Sequence, residues 1–181
     1  MTSLRTIAAL CVAANTPYRT MPGVECYDKR RDARSFNGGM PIICHPPCRA
    51  WSAFLRHQAK PDPGESELGL FCAERLRECG GVLEHPAYSR LFDAAKLPRP
   101  LERSSDLWTI AVWQSWWGYP MRKGTWLCFS RVDPARVEVP YRMLNDRGAD
   151  RIIFKGMSRT QRAQTTPAFA DWLVNLARSV E

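Results

Sequence analysis

Short apolar runs separated by turn-forming residues dominate much of the chain. Such runs, rich in Val, Ile and aromatic residues and bounded by Gly, Pro or Asn, are typical of buried β-strands. We predict strands at residues 7–14, 24–27, 40–44, 82–84, 108–117, 125–132 and 152–154. The third of these stops at Pro46-Pro47, and Gly118-Tyr119-Pro120 forms a turn within the later runs. The first half of the chain therefore contains several short strands.

A helical period separates some of these strands. Apolar residues recur at steps of three and four between residues 68 and 79, which predicts an amphipathic helix that ends at Gly80-Gly81. We also predict helices at 49–58 and 167–180. Alternation of strand, helix and strand predicts an α/β fold, a shortened three-layer Rossmann-like domain over residues 1–181 with a mostly parallel sheet and flanking helices. Its site is expected just past the strand ends.

The composition narrows the class of protein. A chain of 181 residues has room for one domain, and 45% hydrophobic with 24% charged residues excludes disordered and fibrous chains. Lys and Arg number 26 against 18 Asp and Glu, a net charge of +8. This excess favours an anionic partner, with nucleic acid first.

Cysteine usage and hydropathy indicate the compartment. The seven cysteines are an odd number scattered through apolar runs, which predicts reduced thiols in the cytoplasm and no disulfide framework. Residues 7–14 form too short an apolar run for a leader peptide, so we interpret them as a strand. No apolar stretch reaches the roughly 18 residues of a membrane span, so no membrane partner is expected.

The sharpest chemical feature is the segment 44–52, in which a strand leads through two prolines into a predicted helix. Its cysteine, Cys48, falls near the predicted helix N-terminus, where backbone N–H groups favour a thiolate and lower the thiol pKa. This arrangement predicts a nucleophile. A small packed thiol at a strand-to-helix turn is the alternative interpretation.

These residues resemble a family. Pro46-Pro47-Cys48-Arg49-Ala50-Trp51-Ser52 is similar to the Pro-Pro-Cys-x-x-Phe-Ser loop of DNA cytosine methyltransferases acting at carbon 5, with Trp in place of Phe. Segments 81–89, 117–126 and 158–170 resemble, in the family's order, its Glu-Asn strand end, the Tyr-Gly-x-Pro-x-Arg-Lys segment of compact phage-type members and its C-terminal helix. His85 stands where the family has Asn. The resemblance spans about residues 7 to 178.

The resemblance implies a mechanism and a set of roles. In the family, the cysteine adds to carbon 6 of a flipped-out cytosine and the glutamate hydrogen-bonds the base, so Cys48 would be the nucleophile and Glu84 the base-orienting acid. Covalent addition divides one difficult substitution into two easier steps and requires the base outside the stack. Arg122 would join the catalytic set, and the implied substrate contacts are Pro47, Ser52, His85 and Lys123. The implied partner is DNA or a nucleotide.

The implied cofactor is S-adenosylmethionine, but the glycine loop that admits it in the family is absent from residues 10–18. Glu25 or Asp28 would hold the ribose hydroxyls, and Asp32 is placed like the acid that meets the adenine. A solvated, salt-bridged turn is the alternative for these acids. A donor other than S-adenosylmethionine, such as a folate-borne one-carbon unit, also stays open.

The chain is short for a sequence-specific enzyme. Residues 130–157 leave no space for a separate target-recognition domain. The substrate is then non-specific DNA, single strands or free nucleotides, or a protein partner supplies the specificity. Basic and aromatic residues between 103 and 126 suit unstacked bases, although Trp108, Trp113 and Trp126 are each expected in the core.

Two other classes remain open. Cys44, His45 and Cys48, with Cys72, Cys79 or His85, include zinc-ligand residue types, but the spacing is poor and we predict no metal site. A catalytically inactive methyltransferase-like module that binds DNA or protein is the second alternative. Loss of the glycine loop favours it, whereas the presence of both Cys48 and Glu84 favours an enzyme.

Overall fold

The computed structural model describes residues 4–53, 60–140 and 156–181. These residues contain six strands in one sheet: β1 (Ile7–Leu10), β2 (Val24–Tyr27), β3 (Ile42–Cys44), β4 (Gly81–Pro86), β5 (Leu107–Trp113) and β6 (Gly124–Ser130). The strands lie in the order β2-β1-β3-β4-β6-β5. The predicted strand at 152–154 and residues 54–58 of the predicted helix at 49–58 lie outside the described residues.

The sheet is mixed, which corrects the prediction of a mostly parallel one. Strands β2, β1, β3 and β4 are parallel neighbours, but β6 runs antiparallel between β4 and β5. The reason lies in the connections, since parallel neighbours need long crossovers whereas a short link returns the chain antiparallel. The short β5–β6 link, residues 114–123, begins with a 3-10 turn, Gln114–Trp117, that is closed by Gly118 at φ 82°.

Four helices are described: α1 (Glu65–Cys79), α2 (Leu91–Ala94), α3 (Arg159–Ala163) and α4 (Pro167–Arg178). Helix α4 has Pro at its first position, and the side chain of Thr166 caps the N–H of Phe169. Helix α1 ends at Gly80, whose φ of 73° suits a residue without a Cβ. Both long helices thus begin or end at signals that the sequence carries.

The two long helices cover opposite faces of the sheet. Side chains alternate along a strand, so Ile7 and Ala9 of β1 pack in one core with α4, whereas Ala8 and Leu10 pack in another with α1. The result is a mixed α/β fold with a helix on each face. None of the described helices is both long and apolar enough to cross a bilayer.

Strands β3 and β4, which lead into the candidate site, approach each other closely at their start. Gly81 has φ 125°, and a Cβ there would lie 1.9 Å from the carbonyl oxygen of Ile42. Only glycine therefore allows this strand pair to form. Because β3 and β4 are parallel, their carboxyl ends bring Cys48 and Glu84 to the same edge.

Candidate active site at the carboxyl edge of the sheet

Cys48 lies at the surface beyond the end of β3. Strand β3 ends at Cys44, the two prolines follow, and Cys48 precedes a 3-10 turn, Arg49–Trp51. All seven cysteines are free thiols, and Cys48 is the exposed one. A nucleophile must reach its substrate, so Cys48 is the cysteine that best meets this requirement.

The electrostatics of Cys48 differ from the sequence-based expectation. Desolvation and the negative charge of Glu84 raise the pKa of the thiol above its ordinary value, although Lys123 acts in the lowering direction. The expectation of a lowered pKa was wrong because desolvation and Glu84 outweigh Lys123, and the described segment after Cys48 is a single 3-10 turn rather than an α-helix. At neutral pH the thiol form dominates, and Lys123 is the cation that favours the thiolate.

The turn that carries Cys48 is anchored on two sides. The guanidinium of Arg49 pairs with Glu65 at the start of α1 and with Asp62, and these hydrogen bonds raise the pKa of Arg49. On the other side, the carbonyl oxygen of Trp51 accepts the backbone N–H of Arg90 at 3.1 Å. The segment after β4 is thereby attached to the Cys48 turn.

Glu84 sits at the centre of a buried polar chain that crosses the ends of β3, β4 and β6. Its Oε2 lies 3.0 Å from Nδ1 of His45, and its Oε1 accepts Nε2–H of Gln114 at 2.9 Å. The hydroxyl of Tyr18 lies 2.9 Å from Nε2 of His45. Gln114 also reaches the hydroxyl of Thr125 at 2.9 Å. The chain therefore runs from Tyr18 through His45 and Glu84 to Gln114 and Thr125.

This chain keeps Glu84 ionised. Burial by itself would raise the pKa of the carboxyl, but the His45 hydrogen bond and the charge of Lys123 lower it to about 2. An ionised carboxylate only accepts hydrogen bonds, so Nδ1 of His45 is the donor in their pair. Each carboxylate oxygen has a second lone pair, so each oxygen of Glu84 can accept one more donor.

His85 points to the sheet face opposite Glu84 and is fully buried. Burial lowers the pKa of its imidazole to about 4, and the carbonyl groups of Pro46 and Pro47 lie near the ring. Neither ring nitrogen makes a hydrogen bond of normal geometry to a described residue. His85, which the resemblance implies as a substrate contact, is therefore a buried and neutral side chain.

The other residues expected at the site come from two segments. The predicted substrate contacts Pro47 and Ser52 are half-buried and lie on either side of Cys48 in the sequence, and the predicted catalytic Arg122 and the substrate contact Lys123 are half-buried in the link between β5 and β6. The ammonium of Lys123 lies 5.3 Å from the centroid of the Tyr119 ring. Lys123 acts electrostatically on both Cys48 and Glu84, which makes it the cation common to the site.

The three acids expected to hold the cofactor are each paired with an arginine. Asp28 pairs with Arg19 and accepts the N–H groups of Arg30 and Arg31, which hold its pKa below the ordinary value. Glu25 lies 3.0 Å from Arg31, and Asp32 lies 3.2 Å from Arg34. A ribose that binds Asp28 would have to displace Arg19, and no glycine lies between β1 and Met21. These residues do not fit S-adenosylmethionine in the arrangement that the resemblance implies.

Sequence reasoning missed four residues of the polar chain. His45 was weighed only as a zinc ligand, Tyr18 only as part of the segment that lacks the glycine loop, and Gln114 and Thr125 only as parts of predicted strands. His45 alone carried a signal, since it is adjacent to the Pro-Pro-Cys motif. Trp113 was expected in the core, yet 44% of its surface is exposed.

The described residues contain no group of three or more Cys, His, Asp or Glu side chains placed to hold a metal ion. The thiol of Cys44 is buried against α1, where it approaches the carbonyl oxygen of Cys72 at 3.9 Å. His45, the next residue, points to the other face and contacts Tyr18 and Glu84. The two neighbours therefore diverge, as alternation along a strand requires.

No protein-family model matches the chain, and comparisons with curated proteins and with solved structures gave no significant match.

Proposed function

We propose that this protein is a DNA cytosine-5 methyltransferase-like enzyme that modifies a pyrimidine at carbon 5 through covalent addition of Cys48 to carbon 6. The observation that carries the proposal is an exposed cysteine beyond the end of a central strand, with a carboxylate and an ammonium group that both act electrostatically on its thiol. Cys48, Glu84 and Lys123 come from three different segments of the chain. All three lie at the carboxyl edge of the sheet, which is where α/β proteins commonly have their binding sites.

The proposed addition of Cys48 to the pyrimidine, followed by its elimination, requires no cofactor. The Cys48 thiol loses its proton to solvent, its sulfur forms a bond to carbon 6, and the electron pair of the C5–C6 double bond moves to carbon 5. That carbon then accepts a proton from water. Loss of the original C5 proton and departure of the sulfur restore the base, with one C5 hydrogen exchanged for a solvent hydrogen.

Glu84 and Lys123 supply the polar contacts in this proposal. An ionised carboxylate suits the exocyclic amine of cytosine, which is a donor, and does not suit an unprotonated ring nitrogen, which is an acceptor. Lys123 stabilises the thiolate before attack. His45 acts as a positioning residue, because it holds Glu84 from one side while Gln114 holds it from the other.

The one-carbon donor is a separate part of the proposal, because the exchange of the C5 hydrogen needs no donor. S-adenosylmethionine remains the donor that the family resemblance implies, and a reduced folate is the other. Thermal shifts with S-adenosylmethionine, its demethylated product and reduced folates identify the donor. If none of these compounds raises the melting temperature of the protein, the transferase part of the proposal is wrong.

Exchange of the cytosine C5 hydrogen tests the addition without a donor. We expect the wild-type protein, incubated in D₂O with single-stranded DNA, duplex DNA or dCMP, to introduce deuterium at C5 of at least one substrate, detected by mass spectrometry. Cys48→Ser should abolish exchange, whereas Cys79→Ser, a half-buried cysteine distant in sequence, should not. Absence of exchange with all three substrates would overturn the proposed nucleophile.

A catalytically inactive module that binds DNA or protein is the second candidate. The raised pKa of Cys48 and the occupied oxygens of Glu84 favour it, because both groups are stable in their present surroundings without a substrate. Under this alternative, Cys48→Ser binds DNA like the wild type and no exchange occurs. The same deuterium experiment thus separates the two candidates.

A further inference from the structure

We propose that Tyr88 and Trp113 form a stacking surface for the unpaired bases of single-stranded DNA beside Cys48. This inference rests on the proposed function for its choice of substrate, and it names the form in which the pyrimidine arrives. The surface consists of the Tyr88 and Trp113 rings with Lys123 and Arg90 at its margin. It is called the aromatic surface below.

Exposure singles out these two rings. In the part of the chain that the structure describes, the exposed aromatic side chains are Tyr88, at 65%, and Trp113, at 44%. By contrast, Trp126 and Trp117 are buried, as expected for large apolar side chains. Aromatic side chains left at the surface together are a common feature of sites that bind unstacked bases.

The two rings lie on the same face of the sheet. A Cβ at Gly124 would lie 3.1 Å from the Trp113 ring and 3.5 Å from the Cβ of Ala87, so both residues border this glycine. Tyr88, the residue after Ala87, has its ring centroid 5.2 Å from that of Trp126. Because Trp126 belongs to the core under α1, the aromatic surface is on the α1 side of the sheet.

The backbone segments that carry both rings are fixed by a hydrogen bond. The N–H of Ala87 donates to the carbonyl oxygen of Gly124 at 3.0 Å, which joins the segment after β4 to the start of β6. Tyr88 itself adopts φ 65°, a backbone conformation uncommon for a residue with a side chain.

The aromatic surface is continuous with the Cys48 turn. Arg90 binds this turn twice, through its backbone N–H to Trp51 and through its guanidinium to the carbonyl oxygen of Ala50 at 3.1 Å. Lys123 precedes Gly124 and acts electrostatically on Cys48. Arg90 and Lys123 therefore join the chain segments of the rings to the Cys48 turn, and both are cations that can attract the phosphates of a strand with stacked bases.

Single-stranded DNA fits this arrangement better than a duplex. Rings can stack only on bases that are already unstacked, and extruding a base from a duplex costs a few kcal/mol. The described residues beside Cys48 offer stacking and charge at the surface. A single strand delivers its pyrimidine to Cys48 without that cost.

Fluorescence anisotropy with a labelled 12-nucleotide thymidine strand tests the aromatic surface. We expect Tyr88→Ala and Trp113→Ala each to weaken binding by about 5- to 140-fold, the range for one lost stacking contact. Tyr88→Phe and Trp113→Phe should retain most of the affinity. Leu101→Ala, which removes an exposed leucine at 102% relative exposure from another loop, is the matched control and should bind like wild type.

Two further probes make the test specific to bases. A 12-nucleotide abasic strand should bind more weakly than the thymidine strand and respond equally little to Tyr88→Ala and Leu101→Ala. A 12-base-pair duplex should compete poorly. Equal affinity for duplex and single strand, or wild-type affinity in both alanine variants, would overturn the aromatic surface.

The outcomes are distinguishable from those of the proposed function. If binding depends on both rings but no deuterium exchange occurs, the aromatic surface is supported and the proposed enzyme activity is refuted. If the protein exchanges the C5 hydrogen of duplex DNA and neither Tyr88→Ala nor Trp113→Ala changes this rate, the enzyme activity is supported and the aromatic surface is refuted. Circular dichroism of each variant confirms that lost binding is not lost folding.

Discussion

The carboxyl edge of the sheet has two halves that differ in how their charged groups are used. In the β3–β4 half, an exposed cysteine adjoins a buried carboxylate whose partners are His45 and Gln114. In the β1–β2 half, the acids Glu25, Asp28 and Asp32 pair with arginines near the surface. The first half presents a reactive atom, and the second presents closed ion pairs.

This difference shows that position at a sheet edge does not by itself make an acid available. Asp28 follows β2 where α/β folds often hold a ribose, but Arg19 and two backbone N–H groups already satisfy it. Glu84 is buried to a similar extent, but its partners are side chains of a polar chain that includes His45, three residues before Cys48. The two halves therefore predict different responses to mutation and pH.

The largest expected effect comes from Glu84. Glu84→Ala removes the acceptor of two buried donors, His45 Nδ1 and Gln114 Nε2, and each unsatisfied donor costs about 1–3 kcal/mol. We expect the free energy of unfolding to fall by about 3 kcal/mol, measured by urea denaturation at pH 7. Glu84→Gln, which keeps one acceptor, should lose less. A loss for Glu84→Ala no greater than that for Asp28→Ala would break the contrast between the two halves.

Acid pH should weaken the β3–β4 half first. The pKa of His85 is about 4 in the folded protein and ordinarily 6.5, so between these values the unfolded chain binds a proton that the folded chain does not. Stability is therefore complete above pH 6.5 and falls as the pH is lowered. We expect a loss of about 2 kcal/mol between pH 6.5 and 5 in urea denaturation.

His85→Gln is the variant that isolates this pH effect. It has no ionisable ring, so its pH dependence in the same window should be flatter than that of the wild type. The lowered pKa of Asp28 keeps this acid ionised throughout the window, so the β1–β2 half contributes no slope there. Identical slopes for wild type and His85→Gln would contradict the assignment.

The pH profile of Cys48 should also depend on Glu84. The carboxylate raises the pKa of the thiol, so Glu84→Gln should lower it and speed alkylation of Cys48 by iodoacetamide at pH 8. Lys123→Gln should slow the same reaction, because Lys123 favours the thiolate. Peptide mass spectrometry follows Cys48 apart from the other cysteines, and opposite signs for the two variants are the expected result.

The smallest effect is expected at the surface pair of Glu25 and Arg31. Both side chains are substantially exposed, at 39% and 52%, and such pairs contribute at most about 1 kcal/mol. Glu25→Gln should change the free energy of unfolding by about 0.5 kcal/mol or less in urea denaturation. A larger loss would show that the β1–β2 half supports the fold more than its exposure indicates.

Local sequence signals predicted where strands and helices lie better than they predicted whether neighbouring strands run parallel or antiparallel. The strand at 24–27 matches β2, and the helix predicted at 68–79 lies within α1, Glu65–Cys79. These elements follow from apolar periodicity and from glycine and proline at their ends. The antiparallel placement of β6 between β4 and β5 was missed, because strand order depends on pairing between segments distant in sequence.

The candidate site was predictable only in part for the same reason. The Pro-Pro-Cys motif marked Cys48 because the motif is contiguous, and its exposure agrees with a reactive role. The partners of Glu84 are His45 and Gln114, which in turn contact Tyr18 and Thr125, and no local pattern connects these residues. Trp108, Trp113 and Trp126 were expected in the core together, yet edge strand β5 leaves Trp113 exposed.

The sequence by itself determined the α/β composition, the basic charge and the position of Cys48 directly after two prolines, since each depends on neighbouring residues alone. Tertiary structure alone decided the mixed sheet, the raised pKa of Cys48, the closed ion pairs of the β1–β2 half and the chain from Tyr18 to Thr125. Burial and hydrogen bonding set these properties, and both depend on which distant segments the fold brings into contact.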